Sequence, residues 1–357
     1  MKKKVLILGK LQANPFFDII TKHSQWSFEY NDIDNIHCHP QMILIHWPEQ
    51  IFDWKEPNED QLCLLENQFS LWKKRKIKII YVVNNLKRHW GMTLAFEKLY
   101  KIVLKNCDAM VHLGNYSLEL YKKQFPKKTH NYIPHPLYED VYKQQEKIQA
   151  RRELNISNKS VIIFVPGTIR NLRERSLVTS AFGKIQNKNK ILVVPNMFKR
   201  KVKWKFKGQY RLKKYFDIHK ILEYFYNKEF NKKYIFGYKF IETETLSRWL
   251  SAADVVIIPR VDSLNSGILF LGLTFRKIIV GPKIGNIEEF LNAFNLPTFN
   301  PDDNDSVALA LKRGVELSQN SLPYIDKDLN EFKPIEIALK WDKFLNEQIF
   351  YNNQKEQ

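Results

Sequence analysis

At 357 residues the chain has room for two domains with separate cores, and its 44% hydrophobic and 13% aromatic content excludes a disordered protein. Fifty-seven basic against 38 acidic residues leave a formal net charge of +19; this suits an anionic partner (nucleic acid, an acidic membrane surface or a phosphorylated substrate), or else a lysine-rich, solvated surface. Apolar runs are only strand-length, which excludes a membrane-crossing helix, and three scattered cysteines, Cys38, Cys63 and Cys107, point to a reducing compartment without a disulfide framework.

The opening Met-Lys-Lys-Lys and the apolar residues after it end at Gly9-Lys10, too short for a signal-peptide core, and read as a first strand. In the first half, strands are expected at 4–8, 27–30, 42–46, 77–83 and 109–113, with helices at 15–23, 59–75, 91–105 and 115–124. His37-Cys38-His39 invites a metal reading, but neighbours on an extended segment face opposite ways and no second ligand pair follows at zinc spacing, so no metal site is expected. The prolines of Ile133-Pro134-His135-Pro136 break the alternation, and the polar run from 139 to 158 reads as an interdomain connection.

Strands then resume at 161–165, 191–194, 234–236, 255–258, 278–280 and 298–299, with helices at 172–185, 209–230, 243–252, 266–276 and 286–294. A last amphipathic helix at 334–350 carries Ile337, Leu339, Trp341, Phe344, Leu345 and Phe350. Strands alternating with helices imply α/β architecture with parallel sheets. The most informative stretch is 254–282: a buried strand ending at Pro259, a polar loop, then Asn265-Ser266-Gly267 opening a helix. Such a turn presents unpaired N–H groups to an anion at the ligand-binding edge of a parallel sheet. A plain helix cap at Asn265 or Ser266 is compatible with the same residues.

Gly167-Thr168-Ile169-Arg170-Asn171-Leu172-Arg173-Glu174-Arg175 follows the first strand of the second half. Arginines at a strand's carboxyl end suit a diphosphate, and Arg170, Arg173 and Arg175 are the candidates; the other reading is a solvated basic loop. Residues 199–214 hold nine Lys or Arg and no acid, with Trp204, Phe206 and Tyr210 interleaved. That pattern fits an anionic membrane surface, single-stranded nucleic acid, or a lysine-guarded edge strand.

Together the two Rossmann-like halves, the Asn265-Ser266-Gly267 turn, the Gly167–Arg170 loop, His46-Trp47-Pro48, the loop Asn84-Asn85-Leu86-Lys87-Arg88-His89 and Ile133-Pro134-His135-Pro136 resemble the GT-B glycosyltransferases. The likeness is to family 4, in a bacterial branch with His-Trp-Pro and His-Asn-Leu segments. The resemblance implies two doubly wound domains facing across a cleft: an acceptor-binding domain at 1–150, a nucleotide-sugar-binding domain at 151–335, and a C-terminal helix at 336–357 crossing back to the first. It also implies transfer from a nucleotide sugar without a bound metal or cofactor, with a retaining outcome and a donor phosphate oxygen taking the acceptor's proton. Asn84, Asn85 and His89 would stand near the reacting groups, and Arg170, Arg173, Arg175, Asn265, Ser266 and Gly267 would hold the diphosphate. His46 and Trp47 would meet the acceptor, as could His112.

There are departures from the family pattern. Aligned on Gly281-Pro282, Ser263 and Leu271 occupy the places of two family glutamates, and Asn84 occupies that of a histidine. Leucine cannot accept a ribose hydroxyl's hydrogen bond, so Glu288 or Glu289 is the substitute nucleoside contact, unless both are solvated helix-start acids. The expected protein is a cytoplasmic hexosyltransferase using a UDP- or GDP-sugar and a glycan or polyprenyl-linked acceptor in surface polysaccharide synthesis, docked on the inner membrane face through 199–214. The alternatives are a non-catalytic GT-B glycan binder or partner subunit, and, ranked last, a nucleic-acid-binding protein.

Overall fold

The computed structural model describes residues 2–11, 14–33, 40–88, 91–198 and 233–354. Side chains are described to Ile349. The expected helix at 209–230, the basic segment 199–214, His37-Cys38-His39 and His89 lie outside the described residues, as does the Phe350 side chain.

The chain forms two compact units. One comprises Met1–Val141, Asp262–Asn265 and Asp326–Gln357, the other Tyr142–Val261 and Ser266–Ile325. The first break falls at 141 instead of 150, and the chain returns to the first unit at 326 instead of 336. The four-residue visit at 262–265 carries no compositional signal.

In the first unit, β1 (Lys3–Leu8), β2 (Trp26–Asn31), β3 (Met42–Ile45), β4 (Lys78–Val83), β5 (Ala109–His112) and β6 (Thr129–Tyr132) form one parallel sheet in the order β2-β1-β3-β4-β5-β6. Buried parallel strands read as unbroken apolar runs, as Met42–Ile45 and Lys78–Val83 do. Successive side chains take opposite faces. Val5, Ile7, Met42, Leu44, Ile80 and Val82 face α1 (Phe16–His23), while Ile43, Ile45, Ile79, Tyr81 and Val83 face α2 (Glu59–Lys74) and α3 (Leu94–Asn106). Strand β6 has little apolar character, which is why the sequence pattern hides it. Helix α4 (Asn115–Gln124) links β5 to β6.

The second unit opens with α5 (Lys147–Glu153) and holds β7 (Val161–Phe164), α6 (Leu172–Lys184), β8 (Lys190–Val194), β9 (Tyr234–Phe236), α7 (Thr243–Ala252) and β10 (Val255–Ile257). Then come α8 (Gly267–Thr274), β11 (Ile278–Pro282), α9 (Gly285–Ala293), β12 (Thr298–Phe299) and α10 (Asn304–Ser318). Its parallel sheet runs β12-β11-β10-β7-β8-β9, the dinucleotide-fold order, with direction reversing between β7 and β10. The expected solvated connection at 139–158 contains α5. There Arg151, only 3% exposed, donates to the carbonyls of Ala252 and Asn158 and to Asp254 at 2.6 Å. A buried arginine with three acceptors makes this segment part of the second unit's frame.

The last helix, α11 (Pro334–Gln354), packs on α1 within the first unit. Ile337, Trp341, Phe344 and Leu345 are fully buried in the core that holds Phe16, Phe17 and Phe28. Asp342 accepts from the Gln25 N–H at 2.9 Å and from the Ser24 hydroxyl, fixing the helix to the α1–β2 turn. No described helix is long and apolar enough to cross a membrane.

Candidate functional site

In an open α/β sheet the crevice outside the carboxyl ends of the strands, where strand order reverses, is the place for a ligand. In the second unit that point lies between β7 and β10, so the loops leaving them decide what can bind. The β7 loop runs from Val165 to Asn171, whose side chain caps α6 by accepting the Glu174 N–H. The β10 loop supplies Arg260, 6% exposed.

Arg260 Nη1 donates to Glu174 Oε2 and to the Thr168 carbonyl, both at 3.0 Å, and the same Glu174 oxygen accepts the Arg170 N–H at 2.7 Å. Glu174 is itself 2% exposed. One buried carboxylate therefore neutralises one buried guanidinium and pins the loop that carries a second. Among the described residues the half-buried Arg170 side chain has no hydrogen-bonding partner. Burial, then the neighbouring Arg260 charge, lowers its pKa to about 10 against the pull of Glu174, so it stays cationic at neutral pH. Gly167 lies close by: a Cβ there would stand 2.7 Å from Ile268 Cδ1 and 3.2 Å from Arg260 Nη2. The β7 loop, Arg260 and the first turn of α8 thus meet at one spot. Ser266 caps α8 without a side-chain hydrogen bond, so the helix start adds its N–H groups to a cationic corner.

In the first unit the reversal lies between β1 and β3. Gly9 follows β1 at φ +111, and a Cβ there would meet the Gln50 carbonyl oxygen at 2.6 Å; only glycine allows the 3-10 helix Pro48–Phe52 this close to the end of β1. His46, 2% exposed, stacks on Phe16 with centroids 5.3 Å apart and meets Phe17 edge-on at 4.9 Å. Burial, with the nearby His135 ring, holds its pKa down to about 3. Trp47 is half-buried, its ring centroid 5.7 Å from that of Trp54.

Compared with models of known protein families and with curated proteins, the sequence matches none. Solved structures do match. Sucrose-phosphate synthase from Thermosynechococcus elongatus aligns over 99% of this chain and 100% of its own at 13% identity, TM-score 0.63. Anabaena HepE in complex with UDP aligns over 97% and 100% at 11% identity, TM-score 0.66. The E. coli trehalose-6-phosphate protein bound with UDP-2-fluoro glucose aligns over 97% and 99% at 11% identity, TM-score 0.56. This chain has the GT-B fold.

Within that GT-B framework the sequence-predicted residues separate. Arg170, Ser266 and Gly267 lie at the β7–β10 edge together. Arg173 is exposed and ion-paired with Asp302, and Arg175 is half-buried on α6. The Asn265 side-chain amide belongs to the first unit, donating to the carbonyls of Asn84 at 2.8 Å and Val83 at 3.3 Å. Beside it Leu264 sits in the first unit's core, Asp262 pairs with Lys87 at 3.0 Å, and the buried Ser263 hydroxyl has no partner among the described residues. Glu288 and Glu289 stand half-exposed in the first turns of α9, and Leu271 is buried within α8, which is apolar up to Thr274.

Asn84, 7% exposed, donates an amide hydrogen to the His46 carbonyl at 2.8 Å, tying the end of β3 to the end of β4. Asn85 is 4% exposed and its Nδ2 has no partner among the described residues. His112 is enclosed, its Nε2 3.0 Å from His130 Nδ1, and burial followed by the His130 ring lowers its pKa to about 3. Because His130 Nε2 must donate to the Phe125 carbonyl at 2.9 Å, its Nδ1 is the acceptor and His112 Nε2 the donor. Sequence reasoning missed Arg260 and Glu174. They stand 86 positions apart, and no local spacing joins them.

Proposed function

We propose that the chain is a nucleotide-sugar-dependent glycosyltransferase. The observation that carries this reading is the corner at β7 and β10: Arg170 held charged and open, Arg260 fixed against Glu174, and the start of α8 beside Gly167. A departing nucleoside diphosphate gains negative charge as the glycosidic bond to C1 breaks. Preplaced cations and N–H dipoles stabilise that charge without reorganising, so the guanidinium groups do what a metal ion does in other transferases. The acceptor hydroxyl forms the new bond to C1 and passes its proton to a diphosphate oxygen. Retention of configuration, a surface glycan or lipid-linked acceptor, and docking of 199–214 on an anionic membrane complete the reading. UDP is the donor nucleotide supported by the UDP complexes of the fold relatives.

A thermal-shift panel of UDP-, GDP-, dTDP- and CMP-sugars tests it, because a ligand that binds only the folded state raises the melting temperature. Stabilisation by one series, lost in Arg170→Ala, is expected. No shift from any member removes the reading. Buried Leu271 and Ser263 in the places of two family glutamates favour a second reading, a GT-B binder without turnover. That protein would show the shift but neither transfer nor hydrolysis of the bound sugar nucleotide.

A further inference from the structure

Glu174 carries a charge that its hydrogen bonds alone do not require. A single oxygen, Oε2, accepts both from Arg260 Nη1 at 3.0 Å and from the Arg170 N–H at 2.7 Å, while Oε1 accepts from no described group. A neutral acceptor would serve those two bonds as well. Balancing the buried Arg260 is the structural use of the carboxylate, and the same charge bears on any anion the corner receives. The charges acting on Arg170 are those of Arg260 and Glu174. Two guanidinium groups and one carboxylate leave this trio one net positive charge. Neither cation is saturated: beyond Nη1 the Arg260 guanidinium makes no hydrogen bond with a described group, and its Nη2 lies 3.2 Å from where a Gly167 Cβ would stand. Glu174 is 2% exposed, so water screens little of its charge from what lies above it.

We propose that Glu174 is a positioning residue that limits how tightly this corner holds a nucleoside diphosphate: it is the counter-anion of Arg260 while the corner is empty, and it repels the diphosphate that arrives, so that the nucleotide product leaves. Arg170 supplies the attraction and Glu174 sets its ceiling. Two unit charges about 10 Å apart at an effective dielectric constant of about 20 alter an affinity by about tenfold. Repulsion of this kind acts on bound substrate and bound product alike, so its removal tightens binding without raising turnover. Naming the ligand a nucleoside diphosphate rests on the transferase reading; the charge balance itself rests on the three side chains alone.

Glu174→Gln tests the charge alone. Its amide oxygen can accept both hydrogen bonds that Oε2 accepts now, and its amide nitrogen replaces an oxygen that no described group uses. The intact protein is titrated calorimetrically with UDP, UMP and uridine, and with GDP, GMP and guanosine. Glu174→Gln is expected to bind the diphosphate at least about tenfold more tightly than the parent, with a smaller gain for the monophosphate and none for the nucleoside. Glu174→Asp, which keeps the charge, is expected to show no gain. If the carboxylate did no more than brace the loop, the sign would be reversed: diphosphate binding would be equal or weaker, and the nucleoside would change in proportion. Should Glu174→Gln melt too low for titration, its melting temperature is followed against diphosphate concentration. The diphosphate then takes the place of the missing counter-anion, and the shift at each concentration must exceed that of the parent. If no nucleotide binds parent or variant, the transferase reading falls, and inorganic pyrophosphate still reads the corner's charge through the same tenfold gain. Equal or weaker binding of every diphosphate by Glu174→Gln, pyrophosphate included, overturns the proposal.

Discussion

Acidification should unfold the first unit through three enclosed histidines. Burial leads the lowering in each: His46 and His112 are held at about 3 and His135 at about 4, against about 6.5 in an unfolded chain. Between those limits the unfolded chain binds more protons, so stability falls as pH falls. At about pH 5 the unfolded form of each histidine is nearly fully protonated and the folded form almost neutral, a penalty of about 2 kcal/mol per residue and about 6 kcal/mol for the three. Glu49 works the other way: burial raises its carboxyl, so acid favours its folded form over part of that range and offsets some of the loss. Urea unfolding followed by tryptophan fluorescence at about pH 7 and pH 5 reads the difference. Trp26, Trp47, Trp54, Trp72 and Trp341 all report on the first unit. His46→Phe places a phenyl ring among Phe16 and Phe17 and should remove about a third of the acid sensitivity, about 2 kcal/mol. A midpoint that does not move between the two pH values, or a variant that keeps the full drop, refutes the enclosure of these rings as its cause.

Arg170→Ala should lower turnover at least about tenfold at saturating donor while leaving the fold intact; unchanged kinetics would remove Arg170 from the diphosphate site. Glu174→Ala should act on stability, because it leaves Arg260 buried without its counter-charge, a loss of about 3–5 kcal/mol measurable by denaturant titration. Trp341→Ala should cost about 3–5 kcal/mol, and deletion of 336–357 should give aggregated protein; a soluble, equally stable truncation would show that α11 is dispensable. Replacing Lys201, Lys203, Lys205 and Lys207 with Gln should abolish co-sedimentation with anionic vesicles, each lysine near such a surface being worth about 1 kcal/mol; equal sedimentation of variant and parent rejects membrane docking by this segment.

The two sheets were legible because strands buried on both faces cannot hide: Val255–Ile257 and Ile278–Val280 are apolar without interruption. Strand β6 (Thr-His-Asn-Tyr) lies at a sheet edge and needs no such run. Helix α10 buries Val307, Ala310, Leu311, Gly314 and Val315 at helical spacing, but alanine and glycine dilute the pattern. At the site, Arg170 could be placed because its loop follows a strand directly. Arg260 could not, since a lone arginine after Pro259 looks like loop decoration until Glu174 is found beneath it. His46 misled for a related reason. A polar residue at the end of a strand suggests an exposed edge, but Phe16 and Phe17, some 30 positions earlier, close over it.

The seating of α11 among Phe16, Phe17 and Phe28 also sets an order of events on the ribosome. Domains usually fold as they emerge, N-terminal first. Here the first unit's own strands are complete by Tyr132, yet one face of its sheet is covered only by α1, and its core stays incomplete, until the helix ending at Gln354 has left the exit tunnel. From Val141 to Gln354 is 354 − 141 = 213 residues, roughly 10–40 s of synthesis at about 5–20 residues/s. For that time the nascent chain displays an aromatic surface, while the second unit lacks only the short Asp262–Asn265 excursion to be contiguous and can fold first. Translation pauses or chaperone occupancy should therefore bear on the amino-terminal half, reversing the usual expectation for a protein of two domains.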